Sequence, residues 1–289
     1  MASERSDQAL AVVGSDRSLS WQELHEQAHA WAQEAQHLGG VGKDVPVVIY
    51  GHKEAAFFVA MAGALLIGAP FVPIDTTYPT ERLRRIAEIV QASAIYHTES
   101  AKFEIRAEPI VTLVQHDLAY VIFTSGSTGD PKGVQIGRES VALLGDWLKN
   151  SFDLGDAPVF MNQAPFSFDL SMYEVFGTLA LGGTCVLNSC EQIGRGAAWV
   201  AELAKQKISV WVSTPSFAHQ QLLNREFSPA LLPHLKAFLF CGEPLSAALA
   251  KKLRQRFPET AIWNTYGPTH RGHGGHDSDP DRRNGVDAA

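Results

Sequence analysis

The residues best suited to bind a charged ligand lie in the run LAYVIFTSGSTGDPKGV, from Leu118 to Val134. An apolar stretch of strand length leads into hydroxyl side chains and glycines, and Lys132 follows them. Glycines permit positive φ and a close backbone approach, and hydroxyl, N–H and ammonium groups can together surround phosphate oxygens. No Ser or Thr follows the lysine, so this is not the Walker pattern. The run predicts a phosphate-binding loop, with a flexible surface turn as the alternative; its candidate ligands are Thr124, Ser125, Gly126, Ser127, Thr128, Gly129 and Lys132.

The elements that must position this loop alternate between strand and helix along most of the chain. Continuous apolar runs predict strands, and longer periodic segments between them predict helices. Such alternation is typical of parallel sheets covered on both faces. The sequence therefore predicts an α/β fold with two mostly parallel sheets flanked by helices. The predicted strands are 45–50, 70–74, 93–97, 118–124, 159–162, 184–187, 208–213, 237–240 and 260–263, and the predicted helices are 54–67, 80–91, 139–150, 171–181, 196–206 and 246–257.

Composition narrows the class of protein and its partners. The chain has 289 residues, 45% hydrophobic and 19% charged, which is ordinary for a globular protein. Its net charge of −7 argues against nucleic-acid or anionic-membrane partners. Three cysteines without a CxxC pair, and an N-terminus without an apolar core, favour a cytoplasmic protein. The apolar stretch 55–74 is broken by glycine and proline, so we expect a buried helix and a strand rather than a membrane span.

The loop TSGSTGDPKG resembles the signature of the adenylate-forming superfamily, which includes nonribosomal peptide synthetase adenylation domains, acyl-CoA synthetases and luciferases. Four further runs match in the family's order: LSWQEL from Leu19, LLIGAPFVPID from Leu65, FDLS from Phe168 and NTYGPT from Asn264. The resemblance spans about residues 18–269. It implies the large N-terminal domain of these enzymes, without their small C-terminal domain, and ATP with Mg²⁺ as cofactors.

In this family the loop holds the β- and γ-phosphates of ATP, and Lys132 is the implied catalytic residue. A tyrosine stacks on adenine, and a Gly-Glu-Pro run lies on the other side of the base. The residues implied to bind ATP, besides the loop, are Gly242, Glu243, Pro244, Asn264, Thr265, Tyr266, Gly267 and Thr269. The alternative for Glu243 is that it is a solvated acid of a surface loop with no role in binding.

The resemblance also implies a pocket for the acid that is activated. Asp169 would pair with the α-ammonium group of an amino acid, the alternative being a helix N-cap for the segment from Ser171; Phe168 is expected to pack. Bulky pocket residues and the absence of a second charge favour a small neutral amino acid. The implied pocket residues are Asp169, Leu170, Tyr173, Val212, Leu239, Cys241 and Thr265.

Several runs, among them NQAPFSFDLS and FLFCGE, resemble the D-alanine:carrier-protein ligases, where a cysteine in FCGE lies beside the substrate side chain. Cys241 occupies that place, with inert packing as its alternative. Tyr173 stands where these ligases are expected to have an aliphatic residue. An adenylation domain of a peptide synthetase is therefore the alternative to a D-alanine ligase. The implied reaction is attack of a carboxylate on the α-phosphorus of ATP, then transfer of the acyl group to a carrier-protein thiol.

Departures from the family pattern leave other functions open. His270 stands where the family has a magnesium-binding glutamate, and no counterpart of the ribose-binding aspartate or the C-terminal lysine is found. A truncated fragment that at most binds nucleotide is therefore an alternative, and we expect weak or absent acid-dependent ATP–pyrophosphate exchange. A further alternative is a metal-binding tail through His270, His273 and His276. Another is an acyl-CoA synthetase, which Asp169 disfavours because a fatty acid has no ammonium group to pair with it.

The composition changes abruptly after Thr269. We predict an N-terminal extension over 1–17, an adenylation domain over 18–269 and a disordered tail over 270–289. The tail is predicted to be out of frame, because permitted codons for residues 270–276 read in the next frame as Thr-Glu-Ala-Thr-Val-Val-Thr, which restores the glutamate. A genuine polar tail is the alternative, and the coding DNA decides between them.

Overall fold

The computed structural model describes residues 7–38, 40–106, 117–124, 131–265 and, for the backbone alone, 286–288. The chain divides into two compact units. Unit 1 comprises Met1–Leu144 and Pro165–Asp169, and unit 2 comprises Gly145–Ala164 and Leu170–Ala289. Each unit contains helices and several parallel strands.

Unit 1 contains eight strands and three complete helices among its described residues. They are β1 (Leu10–Val13), β2 (Ser18–Ser20), α1 (Trp21–His37), β3 (Val47–Gly51), α2 (Ala55–Ile67), β4 (Phe71–Asp75), α3 (Thr80–Ile89), β5 (Ala94–His97), β6 (Lys102–Ile105), β7 (Leu118–Thr124) and β8 (Lys132–Gly137). The six strands from β3 to β8 form one sheet in the order β6-β5-β3-β4-β7-β8. Its four inner strands are parallel, and β6 and β8 are antiparallel edges. The inner strands are almost wholly buried, as the continuous apolar runs predict.

Local signals set the ends of the first two helices. Ser20 and Glu23 form a reciprocal capping box at the start of α1: the Ser20 hydroxyl accepts from the Glu23 N–H at 3.1 Å, and the Glu23 carboxylate accepts from the Ser20 N–H at 2.7 Å. Helix α2 is apolar on nearly all faces and ends at Gly68, whose φ of 75° is left-handed. This helix is the buried element predicted for the apolar stretch. No helix in the described part of the chain has the length and apolar character to cross a membrane.

Unit 2 contains a second, mostly parallel sheet. After α4 (Arg138–Ser151), which runs from unit 1 into unit 2, its elements are β9 (Val159–Asn162), α5 (Met172–Leu181), β10 (Thr184–Leu187), α6 (Cys190–Gly194), α7 (Ala197–Lys205), β11 (Val210–Ser213), α8 (Pro215–Gln221), β12 (Ala237–Phe240), α9 (Ala247–Arg256), β13 (Ala261–Thr265) and β14 (Val286–Ala288). Strands β10, β9, β11, β12 and β13 are parallel in that order. The predicted α/β class with two mostly parallel sheets is therefore confirmed.

The structure describes some residues at both ends of the predicted domain arrangement. Ordered structure begins before residue 18, because Leu10–Val13 pairs with Ser18–Ser20 as an antiparallel hairpin. Within 270–289 the structure describes only Val286–Ala288, whose backbone pairs antiparallel with Trp263–Thr265. The rest of that range lies outside the described residues, so its predicted disorder stays a prediction.

Candidate functional site

The predicted phosphate loop connects two paired strands of unit 1. Strand β7 ends at Thr124 and β8 begins at Lys132, and these two residues face each other in the antiparallel register. The Lys132 side chain is exposed. The hairpin therefore places one candidate hydroxyl ligand and the candidate cation at the same end of a rigid ladder. The candidate residues between them, Ser125, Gly126, Ser127, Thr128 and Gly129, lie outside the described residues.

Gly133 has a different role from the one expected for a glycine of this run. It lies in β8 opposite Phe123, and its φ is not in the left-handed region. A Cβ added at this position would lie 3.0 Å from Cζ of Phe123 and 3.1 Å from Cγ1 of Val121. A side chain at this exposed position would thus press against two side chains of β7, while the backbone of Gly133 does not need a positive φ.

Asp169 begins a short 3₁₀ turn, Asp169–Ser171, that precedes α5. Ser171, the residue before α5, already has helical dihedral angles and its side chain makes no capping hydrogen bond. The helix-cap alternative for Asp169 therefore stays a prediction. The Asp169 side chain is half-buried. Burial raises the pKa of the Tyr120 phenol, and the negative charge of Asp169 raises it further, which shows that the carboxylate lies near this ring. Tyr120 was given no role from the sequence, although it lies in the strand that leads to the phosphate loop.

Phe168, the residue before this acid, does not pack as expected. Its side chain is 50% exposed. Its backbone N–H donates to the Pro165 carbonyl at 3.0 Å, so the chain turns immediately before Asp169. Half of the side chain is therefore accessible to solvent, so Phe168 is not the buried packing residue that was expected.

The other candidate pocket residues lie in unit 2. Val212 in β11 and Leu239 in β12 are register partners, and Trp263 in β13 is the next residue in the same row. Partners in a row share one face of the sheet. Val212, Leu239 and Leu170 are buried, whereas Cys241, just past the end of β12, is half-buried with a free thiol.

Tyr173 and Thr265 are joined by a hydrogen bond of 3.0 Å between their hydroxyl oxygens. The Thr265 hydroxyl also donates to the Phe240 carbonyl at 3.0 Å. A hydroxyl has one proton, so Thr265 accepts from Tyr173 while it donates to Phe240. Thr265 is buried and Tyr173 half-buried. This hydrogen-bond chain fixes the Tyr173 ring at the carboxyl end of β13.

Aromatic rings that the sequence did not single out surround Tyr173. Trp147 makes an edge contact with it, with centroids 6.0 Å apart. Phe152 contacts Trp147 at 4.8 Å and Trp263 at 5.2 Å, in both cases edge to face. Nothing in the α4 pattern distinguishes Trp147 from a residue that packs against any other helix, which is why its place beside Tyr173 was missed.

The run Gly242-Glu243-Pro244 follows β12 and is exposed. Gly242 has a φ of 87°, so the turn favours glycine. Glu243 is not a purely solvated acid, because its carboxylate accepts from the Ser216 hydroxyl at 2.7 Å and from the Ser216 N–H at 3.2 Å. Ser216 is the second residue of α8, whose N-terminal N–H groups need acceptors. Glu243 thus holds this turn against the start of α8.

Asn264 is the candidate ATP residue with an unsatisfied group. It lies near the end of β13, and its Oδ1 is buried without a hydrogen-bond partner among the described residues. A buried acceptor of this kind calls for a donor. Tyr266, Gly267 and Thr269, the next candidates along the chain, lie outside the described residues, as does His270.

The run that ends at Asp75, for which no ligand was predicted, forms a structural polar contact. Asp75 is buried and accepts from Nδ1 of His52 at 2.8 Å and from the Thr77 N–H at 2.9 Å. Burial alone would raise the pKa of this carboxyl, but the hydrogen bonds outweigh it and hold the pKa below its ordinary value of 3.8. Because an ionised carboxylate only accepts, the proton of this pair is on His52 Nδ1.

The described residues offer no metal centre built from protein ligands alone. Among residues 7–265, leaving out 39, 107–116 and 125–130, no group of three or more His, Cys, Asp or Glu side chains could hold a metal ion. Mg²⁺ commonly keeps few protein ligands and is bound with substrate phosphates. Mg²⁺ as a cofactor, which the family resemblance implies, therefore stays a prediction. The candidate tail ligands His270, His273 and His276 lie outside the described residues.

Comparison with known proteins places the chain in a family. The family model described as AMP-binding enzyme matches residues 1–287. A D-alanine--D-alanyl carrier protein ligase of Bacillus velezensis is 37% identical over 281 residues, which are 91% of this chain and 56% of that protein. The chain spans about half the length of the curated relatives it matches.

Solved structures give the same result. A nonribosomal peptide synthetase, FmoA3, in its α-methyl-L-serine-AMP bound form has a TM-score of 0.77 at 25% identity, over 91% of this chain and 31% of that one. A four-domain nonribosomal peptide synthetase bound to AMP and glycine has a TM-score of 0.75 at 25% identity, over 92% of this chain and 20% of that one. With a family match over nearly its whole length, the chain belongs to the AMP-binding enzyme family.

Proposed function

We propose that this chain carries the nucleotide- and amino-acid-binding part of an enzyme that activates a small amino acid, D-alanine or a similar one. A carboxylate oxygen of the amino acid attacks the α-phosphorus of MgATP, pyrophosphate leaves, and an aminoacyl-adenylate forms. The thiol of a carrier protein then attacks the acyl carbon, and AMP leaves. The identity of 37% with a D-alanine--D-alanyl carrier protein ligase supports this substrate class and this partner.

The observation that carries an amino-acid substrate is the half-buried carboxylate of Asp169. A carboxylate that has lost part of its hydration is stabilised by a cation close to it. The α-ammonium group of an amino acid is a cation that this carboxylate can bind in addition to the contacts it makes within the chain, whereas a fatty acid offers none. Asp169 also lies in the FDLS run, where the family resemblance puts the ammonium partner. This role favours amino-acid activation over an acyl-CoA synthetase.

The β7–β8 hairpin is proposed to hold the nucleotide phosphates. Lys132 is exposed at its end and opposite Thr124, so its ammonium group is free to meet the β- and γ-phosphates. In a displacement at the α-phosphorus, negative charge grows on the departing pyrophosphate. A fixed cation and loop N–H groups lower the barrier because they stabilise that charge without reorganising. The loop residues 125–129 and Lys132 take this role in the proposal.

The turn after β12 and the end of β13 are proposed to bind the nucleoside. Glu243 acts by holding the Gly242–Pro244 turn against α8, since its carboxylate is already occupied by Ser216. The unsatisfied Oδ1 of Asn264 is suited to accept from a donor of the nucleotide. Tyr266 is assigned the stacking role on resemblance alone.

The size of the amino acid is proposed to be limited by Tyr173. Its ring is fixed by the Thr265 hydroxyl and lies beside Trp147. Moving a fixed ring to admit a larger side chain costs the hydrogen bond as well as packing. A pocket closed by such a residue favours alanine, glycine or serine over branched or aromatic amino acids.

Equilibrium binding to the 289-residue chain tests the proposal. Calorimetric titration with MgATP, and with D-alanine in the presence of a non-hydrolysable ATP analogue, should give saturable binding for both. Lys132→Ala should weaken ATP binding about tenfold or more, whereas the matched control Lys149→Ala, an exposed lysine of α4, should not. Asp169→Asn should weaken D-alanine binding while ATP binding stays within about twofold, because the two residues meet different substrates. Equal loss of ATP binding in the Lys132 and Asp169 variants would show that these roles are misassigned.

A further inference from the structure

Two histidines face each other on the exposed side of α1. They belong to the run His25-Glu26-Gln27-Ala28-His29, and the spacing of four residues puts both on one face of the helix. Their Nε2 atoms are 3.1 Å apart, and their ring centroids are 4.4 Å apart. Both side chains are exposed, whereas Ala28 is buried. The packing of α1 therefore makes no use of the two imidazoles.

We propose that His25 and His29 form a bidentate chelate for a divalent transition-metal ion such as Zn²⁺, Ni²⁺ or Cu²⁺. Metal–imidazole bonds of about 2.0–2.1 Å put two ligand nitrogens about 3.3 Å apart at a tetrahedral angle and about 2.9 Å apart at a right angle. The separation of 3.1 Å lies between these values. The ion can therefore replace the hydrogen bond when the donor ring moves its proton from Nε2 to Nδ1, since the acceptor ring already carries its proton on Nδ1.

The surroundings favour a cation of this class. Glu26 is three residues before His29 on the same side of the helix, and its carboxylate accepts from the Gln22 amide at 2.8 Å. Its negative charge attracts a cation that is bound at the two imidazoles. Imidazole nitrogens suit Zn²⁺, Ni²⁺ and Cu²⁺, whereas Mg²⁺ and Ca²⁺ prefer oxygen ligands. The site is therefore chemically distinct from the binding of MgATP.

The run also fits the H-E-x-x-H pattern of helical zinc sites. A catalytic zinc centre needs three protein ligands, and within the described parts of the chain no third His, Cys, Asp or Glu completes such a group. The protein then supplies two coordination positions and water the others. The site is thus a surface chelate that binds an ion and not a hydrolytic centre.

Calorimetric titration of the 289-residue chain with Ni²⁺ and with Zn²⁺, without nucleotide, tests the chelate. All variants share a background in which His270, His273 and His276 are alanine, so that tail histidines give no signal. His25→Ala and His29→Ala should each weaken binding at least tenfold. His37→Ala is the matched control, because it removes a histidine of the same helix that has Gln33 and not histidine four residues before it. Alanine is the best helix former, so these exposed changes keep the helix.

A rescue experiment separates chelation from a loss of local structure. In a background with His25→Ala and His37→Ala, Gln33→His places a new imidazole four residues after His29 and should restore Ni²⁺ affinity to within about threefold. A Ni²⁺ concentration of about 100 times Kd should raise the ratio of folded to unfolded protein about 100-fold, seen as a higher Tm. Mg²⁺ at millimolar concentration should neither bind nor compete.

Retention of full Ni²⁺ and Zn²⁺ affinity by His25→Ala, or no binding by the background chain, would overturn the proposal. Because no nucleotide is present in the titration, either outcome leaves the proposed adenylation untouched. Failure of ATP or D-alanine to bind would, conversely, leave the chelate in place.

Discussion

The hydrogen-bond chain from Tyr173 through Thr265 to the Phe240 carbonyl makes a quantitative prediction about the free energy of unfolding. Both bonds are 3.0 Å long, and the proton count makes Tyr173 the donor to Thr265. Tyr173→Phe removes that donor and leaves Thr265 with its bond to Phe240. The expected loss is about 0.5–1.5 kcal/mol, the net value of one hydrogen bond.

Thr265→Val keeps the shape of the side chain but removes both bonds at once. Thr265 is buried, so the valine variant removes one acceptor of the Tyr173 hydroxyl and one donor to the Phe240 carbonyl in a place that water does not reach. The expected loss is about 1–3 kcal/mol. Once Thr265 is valine, Tyr173→Phe should cost about 1 kcal/mol less than it does beside Thr265, because the bond between the two hydroxyls is already gone. The coupling between the two sites is therefore about 1 kcal/mol.

Urea unfolding of the four proteins in this double-mutant cycle, followed by far-UV circular dichroism, measures the coupling. The midpoints should shift while the slope with denaturant stays constant. Wild-type-like binding of D-alanine to Tyr173→Phe is expected as well, because the ring keeps its size. Additive effects, with a coupling below about 0.3 kcal/mol, would refute the hydrogen-bond chain and with it the fixed position of Tyr173.

Three further predictions concern the size of the pocket, the turn after β12 and acid stability. Tyr173→Ala should shift amino-acid preference from D-alanine toward larger side chains by about tenfold or more in a binding panel, because one methylene group in an apolar pocket already changes affinity by that order. Glu243→Ala should lower the free energy of unfolding by about 0.5–1 kcal/mol in urea titrations, whereas Glu243→Gln, which keeps an accepting oxygen for Ser216, should lose less. The lowered pKa of Asp75 contributes stability above pH 3.8 that is lost as pH falls through the folded value, so Asp75→Asn should be less stable at pH 7 and show a shallower acid denaturation curve by circular dichroism.

The parallel strands were predictable because they are buried on both faces. Such strands are continuous apolar runs, and β7, β9, β10 and β12 have the predicted bounds. The elements that were missed are those whose signal is weak or local. The antiparallel edges β6 and β8 are half-exposed, and their polar residues hide the pattern.

Helix α1 was missed although its start is visible in the sequence. Ser20 and Glu23 have the S-x-x-E spacing of a capping box, and Leu24, Ala28, Trp31 and Ala35 have the helical spacing of a buried face. The LSWQEL run was interpreted as a family motif, and its local meaning as a helix start was not used.

The candidate site was predictable only as far as residue types dictate chemistry. A strand that runs into a loop of hydroxyls, glycines and a lysine favours a phosphate site, so Thr124 and Lys132 could be proposed as ligands, and the structure places both at the same end of the β7–β8 hairpin. Contacts made across long sequence separations could not, because spacing carries no record of them. Tyr173 with Thr265 and Glu243 with Ser216 are both of this kind, 92 and 27 residues apart.

Binding of acyl-adenylate analogues to the 289-residue chain tests the central claim most directly, since it does not depend on turnover. The two ligands are 5′-sulfamoyladenosines that carry a D-alanyl or an octanoyl group, compared by calorimetric titration. The D-alanyl analogue should bind at least tenfold more tightly, and Asp169→Asn should abolish the difference, because the ammonium group then loses its carboxylate. Equal or tighter binding of the octanoyl analogue would contradict activation of an amino acid by this chain.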